Sequence, residues 1–501
     1  MELGLKWKEF SCCEAAGHVA VSHEETMETA IPEYCPDVAR IVDTVGQLKV
    51  REKKLSNGRL TITGAVSVTV LYTSEESAGL RSLTLTVPYT CTVDDQRLAS
   101  CRSVCVCGRL PLVEARSVTA RKLYIRVMME FETEGIACPQ KSICQDTQEE
   151  PALHLRRREQ EVQVLTDVWE RECNFNQECT PTSQQGIPED LLLDRICLRI
   201  ISCQRMGTKL IIKGEAYVSF LYRTDGQGLC TYDAVLPFSF VLDGGELPED
   251  GIYQAQAWPI DSDVRILRTD EGCSFGVSMR IGILIKVYQQ LHLSYIEDLY
   301  STCQDAQVAK RPVSFAQSHP ARHIQSEASQ TLEFGQGQQP FVCLTGLECG
   351  AVSPTVEGNQ SVLRTNVRLK VLYLDETGSP VSTERVLEVS VPTEDLPKTV
   401  RAMCAPAALQ LSGGSCQIKV PVDFFLEQEE PCRIDTVESV ELQECGKEEM
   451  PSLVLRRTRE GEELWDIAKQ YRTDPELIRS ANQLGEGETL PGGILLIPKV
   501  R

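Results

Sequence analysis

The side chains best suited to chemistry gather near the carboxy-terminal end. A glycine turn with two acids, Gly461-Glu462-Glu463, leads into Leu464, Trp465 and Ile467, and Asn482 is followed by a Leu490-Pro491-Gly492 turn. A glycine turn, an indole and an amide suit recognition by hydrogen bonds and stacking, and they contain no nucleophile beside a base. Trp465 is amphipathic, so it either fills a core or lines a groove. Elsewhere there is no Gly-x-Ser-x-Gly elbow, no Gly-x-x-x-x-Gly-Lys-Ser/Thr loop and no His-Glu-x-x-His helix. Of six histidines, His319 and His323 flank Pro320, which makes them a poor helical metal pair. The expectation is a binder, not an enzyme, with no cofactor and no metal.

The elements that must position those residues read as βααβ over 453–499. Leu453-Val-Leu-Arg456 is a short strand, and Leu464, Ile467, Ala468 and Tyr471 form one apolar face of a helix. Thr473 or Asp474 caps a second helix with Pro475 in its first turn, and Leu477, Ile478 and Ala481 give its apolar face. Asn482 ends that helix, and Ile494-Leu-Leu-Ile-Pro498 supplies a strand beside the first.

At 501 residues the chain holds several domains, each able to bury a core. Its 51 basic and 72 acidic residues give a net charge of -21, which disfavours nucleic acid and anionic lipid as partners. The first residues lack an apolar run of secretory length, and Ile281-Gly-Ile-Leu-Ile285 is broken by Lys286, so neither a signal peptide nor a membrane span is expected. Twenty-two cysteines without any Cys-x-x-Cys read as mostly free thiols in a reducing, cytosolic setting, with Cys101, Cys105 and Cys107 on one packed strand face.

A pattern recurs three times upstream. Gly64-Ala-Val-Ser-Val-Thr-Val-Leu-Tyr72, Gly214-Glu-Ala-Tyr-Val-Ser-Phe-Leu-Tyr222 and Thr365-Asn-Val-Arg-Leu-Lys-Val-Leu-Tyr373 alternate as half-buried strands and close in Leu-Tyr. Each precedes a second strand carrying a proline, Pro88, Pro237 or Pro392, which suits a sheet edge. A third matched strand closes each unit: 123–131, 275–283 and 416–424. Cys144-Gln-Asp146 and Cys303-Gln-Asp305 recur before polar stretches read as linkers. The division that follows is an amino-terminal segment 1–24, mainly-β repeats 25–138, 187–288 and 335–427, connections 139–186, 289–334 and 428–452, and the tail domain 453–499.

The tail resembles LysM modules in its glycine turn, Leu-Trp-Asp-Ile-Ala-Lys, Asn482 and Leu-Pro-Gly before Leu-Ile-Pro. That family binds N-acetylglucosamine polymers between the first turn and the loop after the second helix, which here are 461–463 and 482–492. Glu463 stands where the family usually carries a threonine hydroxyl. The repeats resemble the SPOCS domain of spore-coat proteins, with Ile31-Pro-Glu-Tyr-Cys-Pro-Asp-Val-Ala-Arg-Ile41 as the opening motif and Ile187-Pro-Glu-Asp as a reduced second copy. The combination is similar to the SipL-like coat morphogenetic family of endospore-forming clostridia. That resemblance implies a scaffold in the mother-cell cytoplasm at the forespore surface. Its LysM module, with Gly461, Glu462, Glu463, Leu464, Trp465, Ile467, Asn482, Leu490, Pro491 and Gly492 as groove or partner-binding residues, docks a SpoIVA-like coat ATPase. The repeats recruit other coat proteins. The alternative is docking on peptidoglycan or N-acetylglucosamine oligomers.

Overall fold

The computed structural model describes residues 2–76, 79–150, 152–181, 186–226, 228–245, 247–269, 272–334, 341–358, 360–394, 396–412, 414–444, 452–485 and 489–498. Strands dominate it, and the two α-helices among these residues both lie in the tail.

The alternating segments fold as central strands, because only a strand flanked on both sides buries one full face and hydrogen-bonds both edges. In the first unit Arg59–Thr73 lies between Arg40–Ser56 and Leu80–Asp94, and that sheet packs on a second in which Lys122–Ala137 lies between Glu14–Ala30 and Ser103–Thr119. The second unit repeats this plan with Lys209–Thr224 and Gly272–Ser301 as central strands, and the third with Gln360–Leu374 and Ser415–Glu427. Each sandwich has its own core. Pro88, Pro237 and Pro392 all fall on edge strands, opposite Ala65, Glu215 and Val362, where a missing amide donor costs no central ladder bond. Gly64 and Gly214 open the first two repeats because aromatic rings cross them. A Cβ on Gly64 would lie 2.0 Å from the Lys49 carbonyl and 2.6 Å from the Tyr89 hydroxyl, and on Gly214 2.3 Å from Phe238. The third unit has Val389 across the ladder instead of a ring, and Thr365 fits there.

The Leu-Tyr signature divides its labour. Tyr72 and Tyr222 turn into their own cores. Leu71, Leu221 and Leu372 turn the other way and meet in one cluster shared by all three units. Equivalent positions meeting on one line give the units a quasi-threefold arrangement. Further along that line stand Glu134, Lys286 and Glu427, each three residues beyond the matched Phe131, Ile283 and Phe424. The Lys286 ammonium lies 2.7 Å from Glu427 and 3.8 Å from Glu134. Arg401 from the adjacent strand donates to Glu134 at 2.9 Å and to Gln256 at 3.0 Å. Burial alone would lower the Lys286 pKa, but Glu427 and Glu134 outweigh it and hold the amine above its ordinary value. Burial likewise opposes ionisation of Glu427, and Lys286 and Arg401 reverse the sign and hold the carboxyl below its ordinary value.

The stretches expected as connections carry strands. Leu5–Ser11 pairs with Gln140–Thr147, residues 153–165 with 288–301, and Gln304–Ser318 with Glu429–Glu444. These three ribbons pack around Phe10, Ile143, Val162, Leu293, Phe315 and Ile434. Their polar composition misled because a two-stranded ribbon buries one face and leaves the other to water. The boundary at 24/25 also cuts the strand Glu14–Ala30, and the one at 288/289 cuts Gly272–Ser301. Cys144 is buried in Gln140–Thr147, whereas Cys303 is exposed just before Gln304–Ser318, so the two Cys-Gln-Asp strings are not equivalent. Cys105 and Cys107 do share the outward face of Ser103–Thr119, but Cys101 lies before that strand and packs against the first core. Cys13 and Cys138 form a disulfide, and the other described cysteines are free. No helix among the described residues is long and apolar enough to cross a membrane.

Lys286→Met removes the ammonium that the buried Glu134 and the half-buried Glu427 share. The expected loss is roughly 3–5 kcal/mol of unfolding free energy, read by urea titration at neutral pH, with partial recovery when Glu427→Gln is added. In the parent protein the Glu427 contribution is present above the ordinary carboxylate range and fades as pH falls through its lowered native pKa. The Lys286 contribution is present below the ordinary amine range and fades as pH rises through its raised native pKa. A Lys286→Met protein as stable as the parent would refute the axial role.

Candidate functional site

The tail folds as a βααβ module. Leu453–Glu463 pairs antiparallel with Thr489–Pro498, and between them lie helices Leu464–Tyr471 (α1) and Pro475–Asn482 (α2). Gly461 makes the turn before α1 with φ 86°, a left-handed conformation that glycine adopts without steric cost. The Asp474 carboxylate caps α2 by accepting from the Glu476 amide at 2.9 Å. Arg472 and Gln483 end the two helices in left-handed conformations.

Several of the sequence-derived site residues serve the module's own core. Leu464, Ile467 and Leu490 are buried with Ala468, Ile478, Leu495 and Ile497. Asn482 is a lock: its amide nitrogen donates to the carbonyls of Ile478 and Leu496 at 2.7 and 2.6 Å, and its oxygen accepts from the Leu496 amide at 2.7 Å. It ties α2 to the last strand rather than facing a ligand. On α2 only Ile478 is buried; Leu477 and Ala481, expected on the apolar face, are exposed. Pro491 pairs with Glu460 in the ladder, and Gly492 (φ 75°) passes so close that a Cβ would lie 3.1 Å from the Glu460 nitrogen. Residues 486–488 of the expected groove and Lys499 of the expected domain lie outside the described residues.

Trp465 packs against the edge of the module's core and reaches beyond the module. Its indole nitrogen donates to Asp298 at 2.9 Å, and its ring meets Tyr300 edge-on at 5.0 Å. Both partners belong to Gly272–Ser301, the strand that also carries Lys286. Lys469 donates to both Asp298 oxygens at 2.7 and 2.8 Å, the Tyr300 hydroxyl donates to the Thr473 carbonyl at 2.8 Å, and Arg472 pairs with Asp305 at 2.8 Å. Burial works to raise the Asp298 pKa, but Lys469, the indole and Lys310 prevail and keep the carboxyl below its ordinary value. Glu463 pairs with Arg156 of the neighbouring ribbon strand at 2.7 Å, and Glu462 with Arg456 at 3.5 Å. Glu463 therefore fastens the module to the β body. Sequence reasoning missed Asp298, Tyr300 and Arg156, since contacts between stretches so far apart along the chain leave no local periodicity. It also missed Arg121, whose guanidinium grips the opening motif through the carbonyls of Ile31, Pro32 and Cys35 and the Asp37 carboxylate.

Residues 37–104 match the family model described as SipL, SPOCS domain. The matched stretch begins in the motif that Arg121 grips, covers the first sheet of the first unit and ends at the start of Ser103–Thr119. This likeness supports a SipL-like family and suggests a sporulation-related coat role. No curated protein and no solved structure gives a significant match.

Asp298→Ala removes the acceptor shared by Trp465 and Lys469. The expected result is loss of hydrogen-exchange protection at the Trp465 indole N–H and faster proteolytic release of the tail, with the three sandwiches still folded. The parent protein should lose the same protection as pH falls below the ordinary carboxylate range, through the lowered native pKa of Asp298. Unchanged indole protection in the variant would show that the contact does not hold the module.

Proposed function

We propose that this chain is a non-enzymatic spore-coat scaffold. In this reading its three sandwiches are SPOCS-type repeats that recruit coat components. The βααβ tail is a LysM-type module that docks a SpoIVA-like coat ATPase at the forespore surface, on the mother-cell side. The observation that carries the reading is the SipL, SPOCS match over 37–104, extended to the other units by their common two-sheet plan.

The docked geometry supports a partner surface away from α1. Ile467 is core, and Trp465 and Lys469 are engaged with Asp298, so these residues support the binding face without forming it. The outer face of the two-stranded sheet is the better surface. Leu455 and Ile494 are 69% and 77% exposed there, with Leu453 beside them, an aliphatic strip of the kind that protein interfaces bury. Aliphatic side chains do not hydrogen-bond sugar hydroxyls, and Glu463 is occupied by Arg156; both weigh against glycan as the first partner.

Co-purification from sporulating cells tests the proposal. Deleting 453–499 abolishes recovery of the coat ATPase, and Leu455→Lys with Ile494→Lys in the full chain reduces it at least about tenfold, as expected for loss of a central apolar anchor. Undiminished recovery with the deletion rejects the assignment. Saturable binding of N-acetylglucosamine oligomers by the parent, with no ATPase recovered, replaces it with glycan docking.

A further inference from the structure

All three sandwiches line one cavity on the quasi-threefold line, about 420 Å³ in volume. Five cationic side chains stand in its wall: Lys49 and Arg109 from the first unit, Arg195 from the second, Arg368 and Lys370 from the third. Two carboxyls share the wall, Asp194 and Glu348, and burial pushes both up from their ordinary values. Glu348 already accepts the Leu110 amide at 2.5 Å, and Asp194 accepts from Gln47 at 3.3 Å. A cationic interior is unexpected in a chain of net charge -21.

Four of the cations are paired with acids that lie outside the cavity wall. Lys49 meets Asp261 at 2.9 Å, Lys370 meets Asp43 at 3.4 Å, Arg368 meets Glu384 at 3.8 Å, and Arg109 pairs with Glu132. Arg195 differs. Its Nη1 is enclosed and has no hydrogen-bond partner among the described residues. The acid in its surroundings, Asp233, accepts from Ser219, and burial pulls the Arg195 guanidinium below its ordinary value. Arg195 stands where this cavity meets a second one of about 780 Å³ between the second and third units. Arg195 is half-buried with an unfilled donor and only Asp233 as a nearby acid, and guanidinium forks match oxyanions in shape as well as charge.

We propose that this axial cavity binds a small multivalent oxyanion of the phosphate type, which adds negative charge beside Arg195 and joins the three sandwiches. The cavity's cations come from three separate units, so a bound oxyanion cross-links them through charge. Its volume suits a free anion and not a polymer strand.

The test uses the full-length protein, pyrophosphate as the probe and calorimetric titration at low salt. Saturable binding at one site is expected, weakening as salt rises, with a thermal midpoint that climbs with ligand concentration. Arg195→Met weakens binding roughly tenfold or more, as loss of a charge-assisted contact implies. Arg280→Met, on an exposed face beside Glu172, leaves binding unchanged. If Arg195→Met does not fold, Arg368→Gln is read in its place and weakens binding in the same direction. No saturable binding, an unchanged affinity in the cavity variant, or equal weakening by Arg280→Met overturns the proposal.

Discussion

Three copies of one fold placed around a line bring the same position of each copy to the same point, and a buried charge there would be repeated three times. Like charges so close cannot all remain ionised away from water. This chain resolves the conflict by letting the copies differ: Glu134, Lys286 and Glu427 occupy the equivalent positions, and Arg401 enters from the row that holds Cys107 in the first unit and Gln256 in the second. Two acids and two bases form a neutral set. Desolvating them costs several kcal/mol per ion, and their mutual contacts offset that only when all are present. The set therefore works as a registration device, since a unit slipped by one residue would bury a charge with no partner.

The same constraint reaches the tail through one strand. Gly272–Ser301 has 30 residues, about 100 Å at the usual rise. Along it Ile281, Ile283 and Ile285 face the second core, Lys286 stands on the axis, Leu293 and Tyr295 enter the ribbon core, and Asp298 and Tyr300 receive the βααβ module. Irregularities between Val287 and Tyr288 and between Ile296 and Asp298 re-aim the side chains as the strand passes from one core to the next. One backbone thus sets the distance between the axial charges and the docked helix. Disturbing the ribbon would tilt the tail without touching its own core.

Much of this was legible in the sequence, and the limits have physical causes. Period-two alternation exposed the central strands, and proline marked the edges, because both signals are local. The βααβ order came from helix caps and turn glycines, which are local as well. The ribbons were read as linkers, because half their residues face water and their partner strands lie far away along the chain. Lys286 was visible only as a charge interrupting an apolar run. The informative feature was that the run resumed its pattern beyond it, which a surface lysine ending a strand would not require. At the candidate site, Leu464, Ile467 and Asn482 stood out by type, yet Asn482 closes a ladder and Ile467 fills a core. The residues that orient the module, Asp298 and Arg156, sit in stretches with no resemblance to any binding motif.

The departure at Glu463 links these points. A threonine at the start of α1 would cap the helix with its hydroxyl. Glu463 makes no capping bond and reaches Arg156 instead, so some helix-end stability, about 1 kcal/mol for a typical cap, is exchanged for a contact between domains. Such an exchange is stabilising only if the module works while held against the β body, because a freely tethered module would lose the cap and gain nothing. Fixed in that way, α1 is covered and the two-stranded sheet is turned outward. Leu455 and Ile494 then face away from the β body, in a direction set by the long central strand, and the three sandwiches keep a defined orientation towards that surface.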